Sequence, residues 1–324
     1  MSVLDIIKNP IEEDLKKFEP YFASFMKSNV SLLDIITNYI IQRKGKQIRP
    51  MFVFLSAKLV GNIGLSTYNA AAFIELMHTA TLIHDDVVDN AYERRGFFSV
   101  NALWKNKIAV LVGDYLLSKG LLLAVNNKEF ELLNIVSEAV RQMSEGELLQ
   151  IEKARKLDIS EEIYLNIINK KTATLFAACT ASGVKSAGGD EQTIEKAKQF
   201  GEYAGIAFQI KDDIFDYQKK NIIGKPAGND IRERKLTLPL IYSLSKAKES
   251  QKQTIIKILK AKKKETKMVN EVIDFVHQNG GIDYATKIMN DYKEKSIAIV
   301  SEFPDNQAKT SLIELINYTI SRNK

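Results

Sequence analysis

An all-α fold is what this sequence predicts, and three observations carry the expectation. Among 324 residues there are 16 glycines and 6 prolines, and no proline stands between Pro50 and Pro226, so no fixed φ angle interrupts the long central stretch. Apolar residues recur three and four apart, as at Leu32, Ile35, Ile36, Tyr39 and Ile40 and again at Phe130, Leu133, Ile135, Val136 and Val140. That spacing buries one face of a helix. Alternation over the length of a strand is scarce.

Turn-forming clusters at 61–66, 93–98, 126–128, 182–190, 218–238 and 303–306 divide the chain into ten or more helices. Before the first of these, Gly45 is expected to allow an unusual backbone path and Pro50 to begin a helix. The helix that follows 61–66 is expected to run on past Asp89 and end near Gly96. No Gly/Ser or proline-rich linker and no repeat of 20 to 50 residues is visible, so residues 1–324 are expected to form a single domain.

Hydrophobic residues at 45% and charged ones at 27% are those of an ordinary folded protein and exclude disorder. The single cysteine, Cys179, rules out an internal disulfide and suits a reducing compartment. Early acids and the missing basic-then-apolar pattern speak against a secretory leader, and cytoplasmic localisation is expected. The most apolar stretch, 108–125, is interrupted by Asp114 and Lys119, so no transmembrane segment is expected. The net charge of +6 comes from segment 246–267, where nine lysines against Glu249 and Glu265 give +7 and leave about −1 elsewhere. That segment holds no arginine and no aromatic residue for base stacking, so a nucleic-acid partner is not expected. A solvated helix face is the simplest account of it, and peripheral contact with an anionic membrane is a second use.

The strongest chemical signal is a near duplication, TLIHDDVVDN at 81–90 and FQIKDDIFDY at 208–217. On a helix, Asp85 stands above Asp89 and Asp212 above Asp216, while Asp86 and Asp213 point about 100° away. Carboxylates crowded beside apolar residues repel one another and call for cations. One such pentad is most often a solvated face or a cap; two, each at the end of an apolar run, point to Mg²⁺, a hard cation that completes its shell with phosphate oxygens. Candidate phosphate donors lie nearby: Arg94 and Arg95 beyond Asp89, and Lys46 and Arg49 in GKQIRP. Nucleotide-loop, dinucleotide, zincin and hydrolase motifs are absent, and His78, His84 and His277 are the only histidines, so few general bases are available. Catalysis by electrostatics and metal is the reading that remains.

In their order along the chain, GKQIRP, ELMHTATLIHDDVVDNAYERRG, LVGDYLL, EGELLQ, KTATLF, GIAFQIKDDIFDY and GKPAGNDIRERKLTLP resemble the blocks of the trans-isoprenyl diphosphate synthases, the polyprenyl synthetase family, over essentially the whole chain. The resemblance implies the isoprenoid synthase fold, a helical bundle around a deep central cavity. It implies condensation of isopentenyl diphosphate with an allylic prenyl diphosphate, a homodimer or a heteromer with a small subunit, and three Mg²⁺ ions. Asp85, Asp89 and Asp212 would bind the metal, with Asp86, Asp213 and Asp216 supporting them. Arg94, Lys171, Lys225 and Lys235 would hold the allylic diphosphate, and Lys46, Arg49, His78 and Arg95 isopentenyl diphosphate. Thr172 and Gln209 would line the reacting carbons. Two departures from the family pattern stand out: Lys44, Gly45, Lys46 and Gln47 where a glycine pair and a basic residue are usual, and Arg234 where a glycine is usual.

Product length in such enzymes follows the depth of the apolar cavity below the first pentad. Thr81 and Ala80, four and five residues before Asp85, lie about 6 to 7.5 Å down the helix axis, with Met77 and Ile74 on the next turns. Small side chains there suggest a long-chain product, C30 or longer, of the kind used for quinone side chains. A geranylgeranyl-type product, or a role as one subunit of a heteromeric synthase, is the alternative.

Overall fold

The computed structural model describes residues 3–42, 45–94, 96–157, 159–218, 228–261 and 263–321, the side chains of Arg94 and Lys156 excepted. They form sixteen α-helices: α1 Val3–Lys8, α2 Glu12–Met26, α3 Ser31–Gln42, α4 Ile48–Val60, α5 Leu65–Val88, α6 Val100–Asn126, α7 Phe130–Lys156, α8 Glu161–Ile168, α9 Thr174–Ser186, α10 Glu191–Phe215, α11 Asn229–Arg232, α12 Leu238–Lys246, α13 Glu249–Lys260, α14 Thr266–Gln278, α15 Gly281–Ser301 and α16 Gln307–Ser321. Beside them stand a two-residue antiparallel pairing of Glu93–Arg94 with Phe97–Phe98 and a π-helical turn, Asn169–Ala173. The all-α expectation holds. Two details differ from it: α5 stops at Val88 rather than near Gly96, which instead turns the short hairpin at φ +79°, and the unusual backbone before α4 falls on Gln47, at φ +56°, rather than on Gly45.

The chain divides into two compact units, one of Met1–Val140, Ala178–Lys198 and Phe303–Leu312, the other of Arg141–Ala177, Gln199–Glu302 and Ile313–Lys324. The first has α4 at its centre, with Met51, Phe52, Val53, Phe54, Leu55, Ser56 and Ala57 all buried; a helix covered on every side needs no polar face. Helix α9 reaches α4 closely because Gly183 has no side chain, and a Cβ there would run into the Val53 carbonyl and the Ser56 Cβ. On α6, Gly113 and Gly120 lie seven residues apart on one face. The first makes room for His84 of α5 and the second for Phe73 and Met77. Near its start α6 breaks at Lys105, whose φ of 68° and ψ of 161° belong to the conformational region of glycine.

Helix α6 is long and apolar enough to cross a membrane by length and composition alone, even with Asp114 and Lys119 in it, a test that a packed core helix also passes. Of its most apolar window, 39% is buried, the part that packs on α5. Leu103, Val110, Leu111, Leu121, Leu122 and Val125 remain exposed.

In the second unit, Tyr217, Leu240, Ile255, Leu259, Val272, Ile273 and Val276 form the core that joins the helices from α11 to α14. Helix α13 buries Ile255, Ile258 and Leu259 and turns Lys257 and Lys260 to solvent, the solvated basic face expected of the segment. Lys264 is the exception, 7% exposed.

Two substitutions test these backbone contacts by urea unfolding. Gly183→Ala should lower stability by about 1 to 3 kcal/mol, the usual cost of overpacking. Lys105→Gly should raise it by about 1 kcal/mol, because glycine takes that conformation without strain.

Candidate active site

Both pentads occupy the same place on their helices. In the first, Asp85 and Asp86 lie in the last turn of α5 and Asp89 is the residue just past its end; in the second, Asp212 and Asp213 lie in the last turn of α10 and Asp216 just past its end. Carboxylates oppose the partial negative charge of a helix C-terminus, which makes both placements unfavourable by themselves. Asp89 donates its backbone N–H to the Asp85 carbonyl at 2.8 Å, so the backbone keeps the one-turn spacing expected of the two.

In the first unit, α5 presents Glu75, Thr79, Leu82, Ile83 and Asp86 along one face to a hollow that is also lined by Gly45, Lys46, Gln47, Arg49 and Tyr39. Lys46 and Arg49, expected as phosphate donors, are thus brought together beside Asp86. The Arg49 guanidinium is gripped by Glu75, Nε to Oε1 at 2.6 Å and Nη2 to Oε2 at 3.4 Å. Glu75 was not singled out in the sequence, although it is the single acid in the apolar run 65–84. His78, Asp85, Ala80, Thr81, Met77 and Ile74 are not part of this lining. Ile74, Met77 and Ala80 are buried, Met77 beside Gly120 of α6, and Thr81 donates its hydroxyl to the His78 carbonyl at 2.9 Å. Arg94 lies in the short hairpin; its side chain, Arg95 and Lys225 lie outside the described residues.

In the second unit a hollow gathers Lys171, Thr172, Gln209, Asp213, Asp230 and Lys235; of these the sequence assigns Lys171 and Lys235 to the allylic diphosphate, Thr172 and Gln209 to the reacting carbons and Asp213 to support of the metal. A chain of hydrogen bonds joins them. Thr172 Oγ1 donates to Gln209 Oε1 at 2.7 Å, Gln209 Nε2 donates to Asp213 Oδ1 at 2.8 Å, and the buried Tyr164 hydroxyl donates to Asp213 Oδ2 at 2.6 Å. Lys171 and Thr172 ride on the π-helical turn, a feature that recurs at functional sites. The turn fits closely against α7 because a Cβ at Gly146 would stand 2.9 Å from the Lys170 Cβ and from the Lys171 backbone nitrogen. Lys171 Nζ donates to Gln150 at 3.2 Å and pairs with Glu147. Asp216 turns its carboxylate to the start of α11, accepting from the backbone N–H of Asn229 at 2.9 Å and of Asp230 at 3.0 Å.

Crowding shows in the acidities. Burial, aided by the charges of Asp212 and Asp216, pushes the Asp213 carboxyl up to about 7 against the donated bonds of Tyr164 and Gln209. Burial also raises Asp216, and raises Asp230 well above the usual carboxylate range with Asp213 and Asp216 adding to it. Neither Tyr164 nor Asp230 lies in a pentad, and the one sign of Asp230 in the sequence is its place as the single acid of GKPAGND.

Comparison with known proteins decides what this arrangement belongs to. Residues 30–276 match the family model described as polyprenyl synthetase. The chain belongs to the polyprenyl synthetase family. It is 31% identical over 321 residues to the octaprenyl diphosphate synthase of Haemophilus influenzae, covering 99% of this chain and 97% of that one. A solved polyprenyl synthase from Caulobacter crescentus, complexed with calcium and isoprenyl diphosphate, superposes with a TM-score of 0.92 at 32% identity, covering 99% and 98%. A geranylgeranyl pyrophosphate synthase from Bacteroides thetaiotaomicron superposes with a TM-score of 0.85 at 37% identity, covering 99% and 100%. This chain is therefore a trans-prenyl diphosphate synthase with the isoprenoid synthase fold.

A divalent ion suits the donor set of this polyprenyl synthetase. The pentads offer hard carboxylate oxygens, and in the second of them burial, with neighbouring acid charge, raises the pKa of Asp213 and Asp216. Among the described residues no three acids, histidines or cysteines are gathered into a ready metal cage. Mg²⁺ takes only one or two carboxylates and fills its shell with water and phosphate, so the open arrangement fits it.

The raised Asp213 has a thermodynamic signature. Its folded pKa of about 7 lies above the usual unfolded value of about 3.9, so its contribution to stability is fullest below about pH 4 and is lost as pH rises through 7. Asp213→Asn should be the more stable protein at pH 8 without metal, and its advantage should vanish at pH 4. Thermal melts across that range with a chelator present check this.

Proposed function

We propose that this synthase makes a long-chain trans-polyprenyl diphosphate, C30 or longer, by adding isopentenyl diphosphate to an allylic prenyl diphosphate, and that residues 1–324 act as one synthase domain. The observation that carries the reading is the pair of aspartate pentads set identically at the ends of α5 and α10, with the basic residues of the two hollows beside Asp86 and Asp213. Alignment along 97% of the Haemophilus octaprenyl synthase supports both the domain and the product class.

In this reading Asp85, Asp89 and Asp212 bind Mg²⁺, three ions in all, and Asp86, Asp213 and Asp216 support them. The Caulobacter enzyme's calcium and isoprenyl diphosphate support a divalent metal at a diphosphate. Bound Mg²⁺ supplies positive charge to the departing diphosphate. Lys171 and Lys235, with Arg94 and Lys225, hold that diphosphate and stabilise the negative charge that develops as its C–O bond breaks. Lys46, Arg49, His78 and Arg95 hold isopentenyl diphosphate, whose double bond attacks the allylic carbocation. Glu75 keeps Arg49 aimed into its hollow. The Thr172 hydroxyl and the Gln209 carbonyl lie beside the reacting carbons, where their dipoles favour a cation. No protein base is needed if the released diphosphate takes the proton, which matches the scarcity of histidine.

Long products require room below the first pentad. Ala80, Thr81, Met77 and Ile74 are assigned to that path, with small or flexible groups at its upper end. A geranylgeranyl-type product is the second reading, favoured by the 37% identity to the Bacteroides enzyme. The exposed apolar face of α6, from Leu103 to Val125, suits a homodimer. Cytoplasmic localisation fits the single buried thiol, Cys179, and quinone side chains are the use proposed for the product.

Purified enzyme with Mg²⁺, labelled isopentenyl diphosphate and C10, C15 or C20 primers should yield C30 or longer chains by chromatography, whereas products ending at C20 would select the second reading. Asp85→Ala and Asp212→Ala should each lower turnover at least about a thousandfold, as loss of electrostatic stabilisation does, with the helical circular dichroism unchanged. Ala80→Phe should shorten the products, and an unchanged distribution would refute the assigned path.

A further inference from the structure

Lys235 reaches the second hollow from the turn that follows α11, and that turn has an unusual anchor. Arg234, the residue before it, sits at φ +63°, a left-handed backbone that glycine adopts without steric cost. The arginine is explained by what its side chain reaches. Its Nη2 donates to the carbonyls of Lys260 at 3.0 Å and Ala261 at 3.3 Å, at the C-terminal end of α13, where carbonyls lack helical partners and the dipole favours a cation.

Lys264 reaches the same place from the other side. Its Nζ donates to the carbonyls of Ala261 at 3.3 Å and Arg232 at 3.2 Å, and Arg232 Nη1 donates back to the Lys264 carbonyl at 2.8 Å. Lys264 is nearly buried, and its pKa is lowered by that burial and by the charges of Arg234 and Arg232. Three cations thus meet on backbone carbonyls, an arrangement with an electrostatic cost. Its product is a fixed turn: the Lys235 N–H donates to the Asp230 carbonyl at 2.8 Å, and the Arg234 N–H to that of Ile231 at 3.2 Å.

We propose that Arg234 and Lys264 are positioning residues that clasp the turn 230–235 to the end of α13, hold Lys235 and Asp230 in the second hollow and so set the affinity for the allylic diphosphate. The proposal rests on the reading that Lys235 binds that diphosphate. Neither side chain lines the hollow, so each acts through the backbone it holds. Misplacing a binding group by even an ångström is costly.

The test compares Arg234→Gly, Arg234→Lys, Lys264→Met and Lys235→Ala in steady-state assays with Mg²⁺, farnesyl diphosphate and isopentenyl diphosphate, alongside hydrogen exchange of the amides in 230–236. Arg234→Gly removes the clasp without backbone strain, so it should fold normally. It should raise KM for farnesyl diphosphate about tenfold, within the range that misplacement produces, leave KM for isopentenyl diphosphate within about twofold, and speed exchange at the Lys235 amide. Lys264→Met should act in the same direction, and Arg234→Lys should recover part of the loss. Unchanged exchange in Arg234→Gly, or an equal rise in both KM values, overturns the clasp. If Lys235→Ala raises the farnesyl diphosphate KM while Arg234→Gly does not, the clasp fails and the assignment of Lys235 stands. If Lys235→Ala changes neither KM, that assignment fails, and the clasp's role in affinity with it, whatever the exchange shows.

Discussion

Repulsion among carboxylates at the ends of two helices is the constraint on which the rest of this enzyme depends. An aspartate at a helix C-terminus works against the dipole, and each pentad places three there or just beyond. In the second unit the repulsion is partly absorbed by neutral donors, with Tyr164 and Gln209 on Asp213 and the backbone N–H groups of Asn229 and Asp230 on Asp216. Burial outweighs those bonds and, with neighbouring acid charge adding to it, raises the pKa of Asp213, Asp216 and Asp230. Acids in these places cost stability, and a divalent cation is the ligand that their chemistry suits.

Close backbone approach makes this placement possible. Helices α5 and α6 meet through glycines that leave room for Phe73, Met77 and His84, and α7 meets the π-helical turn through Gly146. Polar side chains add to these contacts, with Asn101 of α6 donating to the Asp86 carbonyl at 3.1 Å and Lys170 of the turn to Glu145 of α7 at 2.8 Å. Within the hollows, Arg49 is held by Glu75 and the Thr172 hydroxyl by Gln209.

Much of this was legible in the sequence because it rests on local rules. Period and the scarcity of proline disclose helices, and a repeated DDxxD discloses two acid faces whatever surrounds them. The positions of Lys171, Thr172, Gln209 and Lys235 around one hollow matched the family resemblance, which carries tertiary information that spacing lacks. What stayed hidden depends on contacts between distant segments. Nothing in NKKTA marks a π turn, Gln47 rather than Gly45 takes the left-handed backbone, and Tyr164 joins the site across 49 residues of chain. The early end of α5 had a sign in AYERRG, yet the polar residues there were equally compatible with another turn of helix.

The π-helical turn has an evolutionary corollary. Holding one residue more than an α-helical turn, it behaves as a tolerated insertion between α8 and α9. Deleting a single residue from 169–173 would let the two helices merge into one regular rod with the register on either side kept, so the change would fall on the turn's own side chains, Lys171 and Thr172 among them. Keeping the chemistry therefore requires keeping the count in this stretch as well as Lys171 and Thr172 themselves.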